Sequence, residues 1–253
     1  MINRYASLRQ GLVGCWIPSL GASGFRLIDR SGNNNHGTLT NMDPGTDWVP
    51  SGGKLALDFD GVNDYVATNL FCSNRSDLDI SAWIFKASTS NNAFVGAGEG
   101  GSGGPRANIY ISGQTTYVTA ETTATAYGYG SVSNSRTGWN HYHYSFRGSG
   151  VNNSDRLKLF INGVEAVLSY FGVLATTLGN VGFFEIGRTK GDGLYATAQI
   201  DDVRVYNRAL TPSEIRLLYT GGRGVGLLPE RIKHRRKTSG TNRRRRLICG
   251  ANC

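Results

Sequence analysis

From Gly11 to Tyr206 the chain consists of short runs with apolar residues at every second position, each closed by a cluster of Gly, Asn, Asp or Ser. A period of two is the signature of a strand with one buried face, and its repetition at this spacing points to antiparallel sheets. The candidate strands are LALDF, DYVAT, DISAWIF, NIYIS, TYVTA, WNHYHYSF, LKLFIN, EAVLSY, FFEIG and AQIDDVRVY. They suffice for two packed sheets, so the predicted class is an all-β, two-sheet antiparallel sandwich. Low charge content (18%) and 35 glycines agree with turn-rich β structure rather than a helical bundle.

Two local signals are sharper. Asn162-Gly163, between alternating runs, predicts a tight hairpin, because both central residues of such a turn need positive φ. TPSEIRLLYTGG predicts one short C-terminal helix: Thr211 caps it, Pro212 suits its first turn, Glu214 completes a capping box and Gly221 closes it. Ile215, Leu218 and Tyr219 then share a face suited to covering the sandwich.

The charge is segregated. Ten of the 27 basic residues and only one of the 18 acids lie beyond Gly221, so the last segment carries the whole formal charge of +9 and the rest is neutral. This sets the expected organisation: a sandwich over 1–221 and a basic C-terminal tail over 222–253. Lys233, Arg235, Arg236, Lys237, Arg243, Arg244, Arg245 and Arg246 form the anion-binding candidate, able to neutralise phosphates in a salt-sensitive way or to dock on an acidic protein surface. A solubilising terminus is the plainer alternative.

No signal peptide is visible in MINRYASLRQGLVGCW, and no run is long enough to span a membrane. Cys15 and Cys72 read as buried thiols, while Cys249 and Cys253 either cross-link or stay idle.

Seven fragments in order resemble the laminin G-like (concanavalin A-like) family: GLVGCW at 11–16, DRSGNNNHGTL at 29–39, LDFDGVNDYV at 57–66, LDISAWIF at 78–85, GWNHYHYSF at 138–146, KLFINGV at 158–164 and IDDVRVYNRALTPSEIRLLY at 200–219. The resemblance implies a jelly roll, commonly with bound Ca²⁺ and sometimes a glycan site. By that analogy Asp29, Asn33, Asn35 and Asp202 are the metal candidates, although Asp29 equally suits an Asx turn. Asp58, Asp60, Asn63 and Asp64 form a second oxygen-rich loop that reads better as a hairpin turn. Trp16, Trp83 and Trp139 are expected as core or rim anchors, and Gly32, Gly37 and Gly61 as turn residues.

Sugar binding needs aromatic faces beside hydrogen-bonding side chains, and Tyr110, Tyr117, Tyr127 and Tyr129 are the candidates; tyrosines common to sandwich strands are the alternative. His141 and His143 fall on one strand face, where hydrogen-bonded structural roles outweigh metal binding. No strand carries the closely spaced acids of jelly-roll glycosidases, and HExxH, GxSxG and a phosphate loop are absent, so an enzyme is not expected.

Two functional classes follow. One is a non-enzymatic structural or display protein, such as a phage or virion decoration or tail component anchored by its basic tail. The other is a carbohydrate-binding, lectin-like adhesion module. Expected partners are assembly chains or a glycan surface, with a homo-oligomer also open, and the expected location is a virion, a cell surface or the extracellular space.

Overall fold

A computed structural model describes residues 5–98, 104–122, 128–134, 136–190 and 193–224. The strands form two large antiparallel sheets. The first has the order Val164–Glu165, Leu157–Ile161, Gly138–Arg147, Asp77–Lys86, Thr197–Tyr206, Lys54–Asp60 and Trp48–Ser51. Leu12–Trp16 pairs with the second half of Thr197–Tyr206, where Lys54–Asp60 has already peeled away. The second sheet runs Ser169–Gly172, Gly128–Ser133, Thr115–Ala120, Arg106–Ser112, Ala93–Gly98, Phe183–Ile186, Tyr65–Phe71, Gly37–Thr40 and Arg26–Leu27. This is the expected sandwich.

Alternation along the strands fills the space between the sheets. Ile80, Ile84, Tyr142 and Tyr144 come from the first sheet, and Val66, Ile109, Val118 and Phe184 from the second. Trp16 stacks on Phe184 with ring centres 5.4 Å apart, tying the layers together. Cys72 lies in this core; Cys15 lies in a smaller cluster with Leu8, Phe160, Tyr206, Ile215 and Leu218. Both thiols are free and buried, and burial pushes each up to about 12.

The helix Pro212–Gly221 forms as its sequence dictates, with Thr211 and Glu214 making both hydrogen bonds of the capping box. Ile215 and Leu218 bury against the small cluster, and Tyr219 stacks on Trp83 at 5.9 Å. Glu214 also takes two hydrogen bonds from Arg208, at 2.7 and 3.0 Å, which hold its carboxyl down at about 2. Gly222, with φ 72°, closes the helix in place of Gly221. The hairpin turn has φ 53° at Asn162 and 76° at Gly163, as expected.

Two expectations shift. EAVLSY is not one strand: Val164–Glu165 belongs to the first sheet and Ser169–Gly172 to the second, so the chain crosses between layers within that run. Gly37 lies in a strand, where a Cβ would stand 2.4 Å from Val66 Cγ1; its glycine serves close packing and not a turn. Just after the helix, Arg223 stacks on Trp139 at 3.7 Å and Gly224 donates its N–H to Asp202. Among the described residues no helix is long and apolar enough to cross a membrane.

Candidate functional site

The outer face of the second sheet, opposite the core, carries a continuous row of rings. Alternation turns Ala107, Ile109, Ile111, Val118 and Ala120 inward, which leaves Tyr110 and Tyr117 outward together with Asn108 and Thr119. Five adjacent strands each give one ring: Phe94, Tyr110, Tyr117, Tyr129 and Phe171. Successive centres lie 4.8, 5.5, 5.7 and 5.3 Å apart. All but the Tyr117–Tyr129 contact, which is edge-on at 68°, are stacked. Exposure rises from 0% at Phe94 to 50% at Phe171, so the row climbs from the covered centre of the sheet to its open edge.

Hydrogen-bonding groups run alongside. Register places Asn108 opposite Thr119 and Thr119 opposite Tyr129, and Thr119 donates to Asn108 at 3.0 Å. Glycine is obligatory at position 96 beside them, because a Cβ there would stand 2.3 Å from Asn108 Cβ. Farther along, Arg188 grips Glu185 through two bonds of 2.7 Å and lies 3.5 Å over the Tyr65 ring. Arg106 faces Glu121 at 3.8 Å.

Glu121 and Glu185 are carboxylates near this row, and their placement does not suit glycoside hydrolysis. Three strand spacings separate their strands, which is about 14 Å and wider than the roughly 5–10 Å of catalytic pairs.

Of the four predicted tyrosines, Tyr110, Tyr117 and Tyr129 come together in this row; Tyr127 lies outside the described residues. Phe94 and Phe171 complete the row and escaped the sequence reading. Their alternation places them opposite Tyr110 and Tyr129, a relation visible only once the strands are paired.

The metal candidates separate into two networks. The Asp29 carboxylate accepts four hydrogen bonds, from the N–H groups of Cys15, Ser31 and Asn35 and from the Ser31 hydroxyl, at 2.8 to 2.9 Å. Asn33 and Asn35 turn their Nδ2 donors onto the carbonyls of Leu12 and Val13. Asp202 is in the other network, chelating Arg204 at 2.6 and 2.9 Å at a strand irregularity where its own φ is 50°. As arranged, these residues do not fit Ca²⁺: donors occupy the oxygens an ion would need, and no single cage gathers all four. Among the described residues no group of three or more His, Cys, Asp or Glu could hold a metal. The loop at 60–64 is a turn, with Asp60 Oδ1 taking the N–H of Val62 and Asn63, and Gly61 at φ 83°.

His141 and His143 lie on the outer face of the first sheet but are completely buried. His143 Nε2 bonds Asp79 at 2.9 Å, and the same Asp79 oxygen accepts the N–H of Leu210. His141 Nε2 bonds Ser81 at 2.8 Å. The Ser81–His141 pair has a nucleophile–base outline, yet His141 Nδ1 has no orienting partner among the described residues and Ser81 is only 2% exposed. Burial holds His141 well below the usual imidazole range, so it stays neutral at neutral pH. The basic-tail candidates Lys233 to Lys237 and Arg243 to Arg246 lie outside the described residues.

A family model described as the concanavalin A-like lectin/glucanases superfamily matches residues 60–216. No curated protein matches the sequence. Among solved structures, the binding domain of botulinum neurotoxin serotype D aligns with TM-score 0.61 at 14% identity, over 85% of this chain and 52% of its own. The binding domain of Paraclostridial Mosquitocidal Protein 1 aligns with TM-score 0.57 at 17% identity, over 84% and 52%. A botulinum neurotoxin type C structure, whose cell entry depends on interaction with two ganglioside molecules, aligns with TM-score 0.56 at 14% identity, over 85% and 52%. The chain thus spans about half the length of the structures it matches, and at these identities the likeness is one of fold.

Proposed function

Because this chain belongs to the concanavalin A-like lectin/glucanases superfamily, we propose that it is a non-enzymatic, lectin-like module that binds carbohydrate on the outer face of its second sheet. The single observation that carries this reading is the aromatic row from Phe94 to Phe171 with Asn108 and Thr119 beside it. Ring faces bury the C–H surface of a sugar, and the phenol hydroxyls of Tyr110, Tyr117 and Tyr129 meet its hydroxyls, while the Thr119–Asn108 pair braces the strands beneath them. The dependence of type C neurotoxin cell entry on two ganglioside molecules supports a sugar-bearing partner by analogy of fold. We place such a partner on a cell surface or another glycan-coated exterior. Calcium has no part in this reading.

Charge segregation favours a second, compatible role for the tail. A neutral body fused to a segment carrying the entire formal charge of +9 suits a module anchored through its end to an anionic assembly, as in virion display. The test of the first role is a broad glycan array probed with the full chain and with Tyr117→Ala. The wild type gives saturable binding to a defined glycan class that Tyr117→Ala weakens about tenfold; an array blank for both chains refutes the reading.

A further inference from the structure

On the opposite side of the sandwich, the helix Pro212–Gly221 covers only part of the first sheet's outer face. Next to it opens a groove of about 320 Å³, lined by Asp58, Phe85, Asn91, Thr197 and Gln199 among others. Register explains why these distant residues meet. Asp58 pairs with Gln199, Gln199 with Phe85 and Phe85 with Trp139, giving one row across four adjacent strands. The rings of Phe85 and Trp139 lie 5.7 Å apart. Arg223 stacks on Trp139, whose Nε1 donates to the Ser51 hydroxyl, so this end of the row is fixed in place.

The polar end is preset for a ligand rich in donors. Gln199 gives a hydrogen bond to the Asp58 carboxylate. Its enclosed Oε1 has no partner among the described residues, an unfavourable state that a turn of the amide toward a ligand hydroxyl in the groove would relieve. Asp58 is itself partly desolvated, which strengthens any hydrogen bond it accepts. A partly exposed aromatic ring beside a carboxylate and an unsatisfied amide oxygen matches the amphipathic surface of a pyranose.

We propose that this groove is a saccharide site in its own right, in which a sugar ring packs on Phe85 and gives hydroxyl hydrogen bonds to Asp58 and Gln199 Oε1. It lies on the other sheet from the tyrosine row and does not depend on that row binding sugar; if both act, the module is bivalent on a glycan-coated surface.

The full chain titrated with lactose, cellobiose and N,N′-diacetylchitobiose, with tryptophan emission as the readout, tests this. Trp139 touches Phe85, whereas the row on the other sheet contains only Phe and Tyr, so the part of the signal lost in Trp139→Phe reports the groove. The expected result is a saturable emission change with at least one disaccharide. Gln199→Ala and Phe85→Ala weaken it about tenfold or more, Trp139→Phe abolishes it, and Tyr117→Ala leaves it intact. No change with any of the three sugars overturns the proposal, as does binding that persists undiminished in Gln199→Ala, the variant least able to disturb the fold. Loss of array binding in Tyr117→Ala with no emission change in the wild type sinks the groove and spares the row; the reverse spares the groove alone.

Discussion

On the outer face of the first sheet, Asp79, Ser81, His141, His143 and Arg204 are sealed beneath a helix; on the outer face of the second, among the described residues, Tyr110, Tyr117 and Tyr129 stay partly exposed while Asn108 and Thr119 beside them are buried. Both faces carry polar side chains at alternate strand positions. Under the helix each of these groups makes an internal hydrogen bond, and the cover turns potential chemistry into structure. On the other face the rings stack on one another and keep an open edge at Phe171. What lies over a sheet, more than the residues on it, decides whether it can meet a ligand.

The largest effect that would sharpen this contrast is on the sealed side. Asp202→Ala leaves Arg204 buried without its carboxylate and puts a less tolerant residue at φ 50°. The expected loss is about 3–5 kcal/mol in urea unfolding, and a loss below 1 kcal/mol would break the account of a sealed polar layer. Next comes pH. His141 is held neutral in the fold but takes a proton near its ordinary pKa when unfolded, so stability is complete above about pH 6.5 and falls as the pH drops below it. The slope it adds approaches about 1.4 kcal/mol per pH unit, and His141→Gln flattens that part of the curve.

The open face should respond in the opposite manner. Tyr117→Ala is expected to lower glycan affinity about tenfold while moving the unfolding midpoint far less than Asp202→Ala. A variant that unfolds before it loses binding would mean the row is packing and not a platform. The smallest effect concerns the loop at Asp29. Excess EDTA should leave the melting temperature unchanged, because its four hydrogen bonds, and not an ion, hold the loop; a drop of several degrees restores calcium.

The legible parts of the sequence were those in which one strand face is buried and the other wet. Lys54–Asp60, Gly138–Arg147 and Thr197–Tyr206 all overlap runs picked out by alternation. Ala93–Gly98 was not visible, since nearly all of it is buried and the period of two vanishes; Gly128–Ser133 was masked by its glycines. The same limit governs the sites. Tyr110 and Tyr117 flank one tight connection and can be grouped from sequence. Phe94 and Phe171, and the row of Asp58, Phe85, Trp139 and Gln199, are assembled by register between segments far apart in the chain, which composition does not encode. The calcium set illustrates a related limit: the loop at 29–35 has the right oxygens, but the Asp29 carboxylate is taken by the N–H of Cys15 on a neighbouring strand and of Asn35 in the loop itself, a relation that composition does not encode.

The two enclosed cysteines make the molecule its own unfolding gauge. Cys15 is packed in the layer under the C-terminal helix and Cys72 between the sheets, and both stay protonated and inert while enclosed. An alkylating reagent followed by peptide mass analysis therefore times two separate openings. If the helical lid lifts before the sandwich parts, Cys15 is labelled first; simultaneous labelling means that lid and sandwich come apart as one cooperative unit.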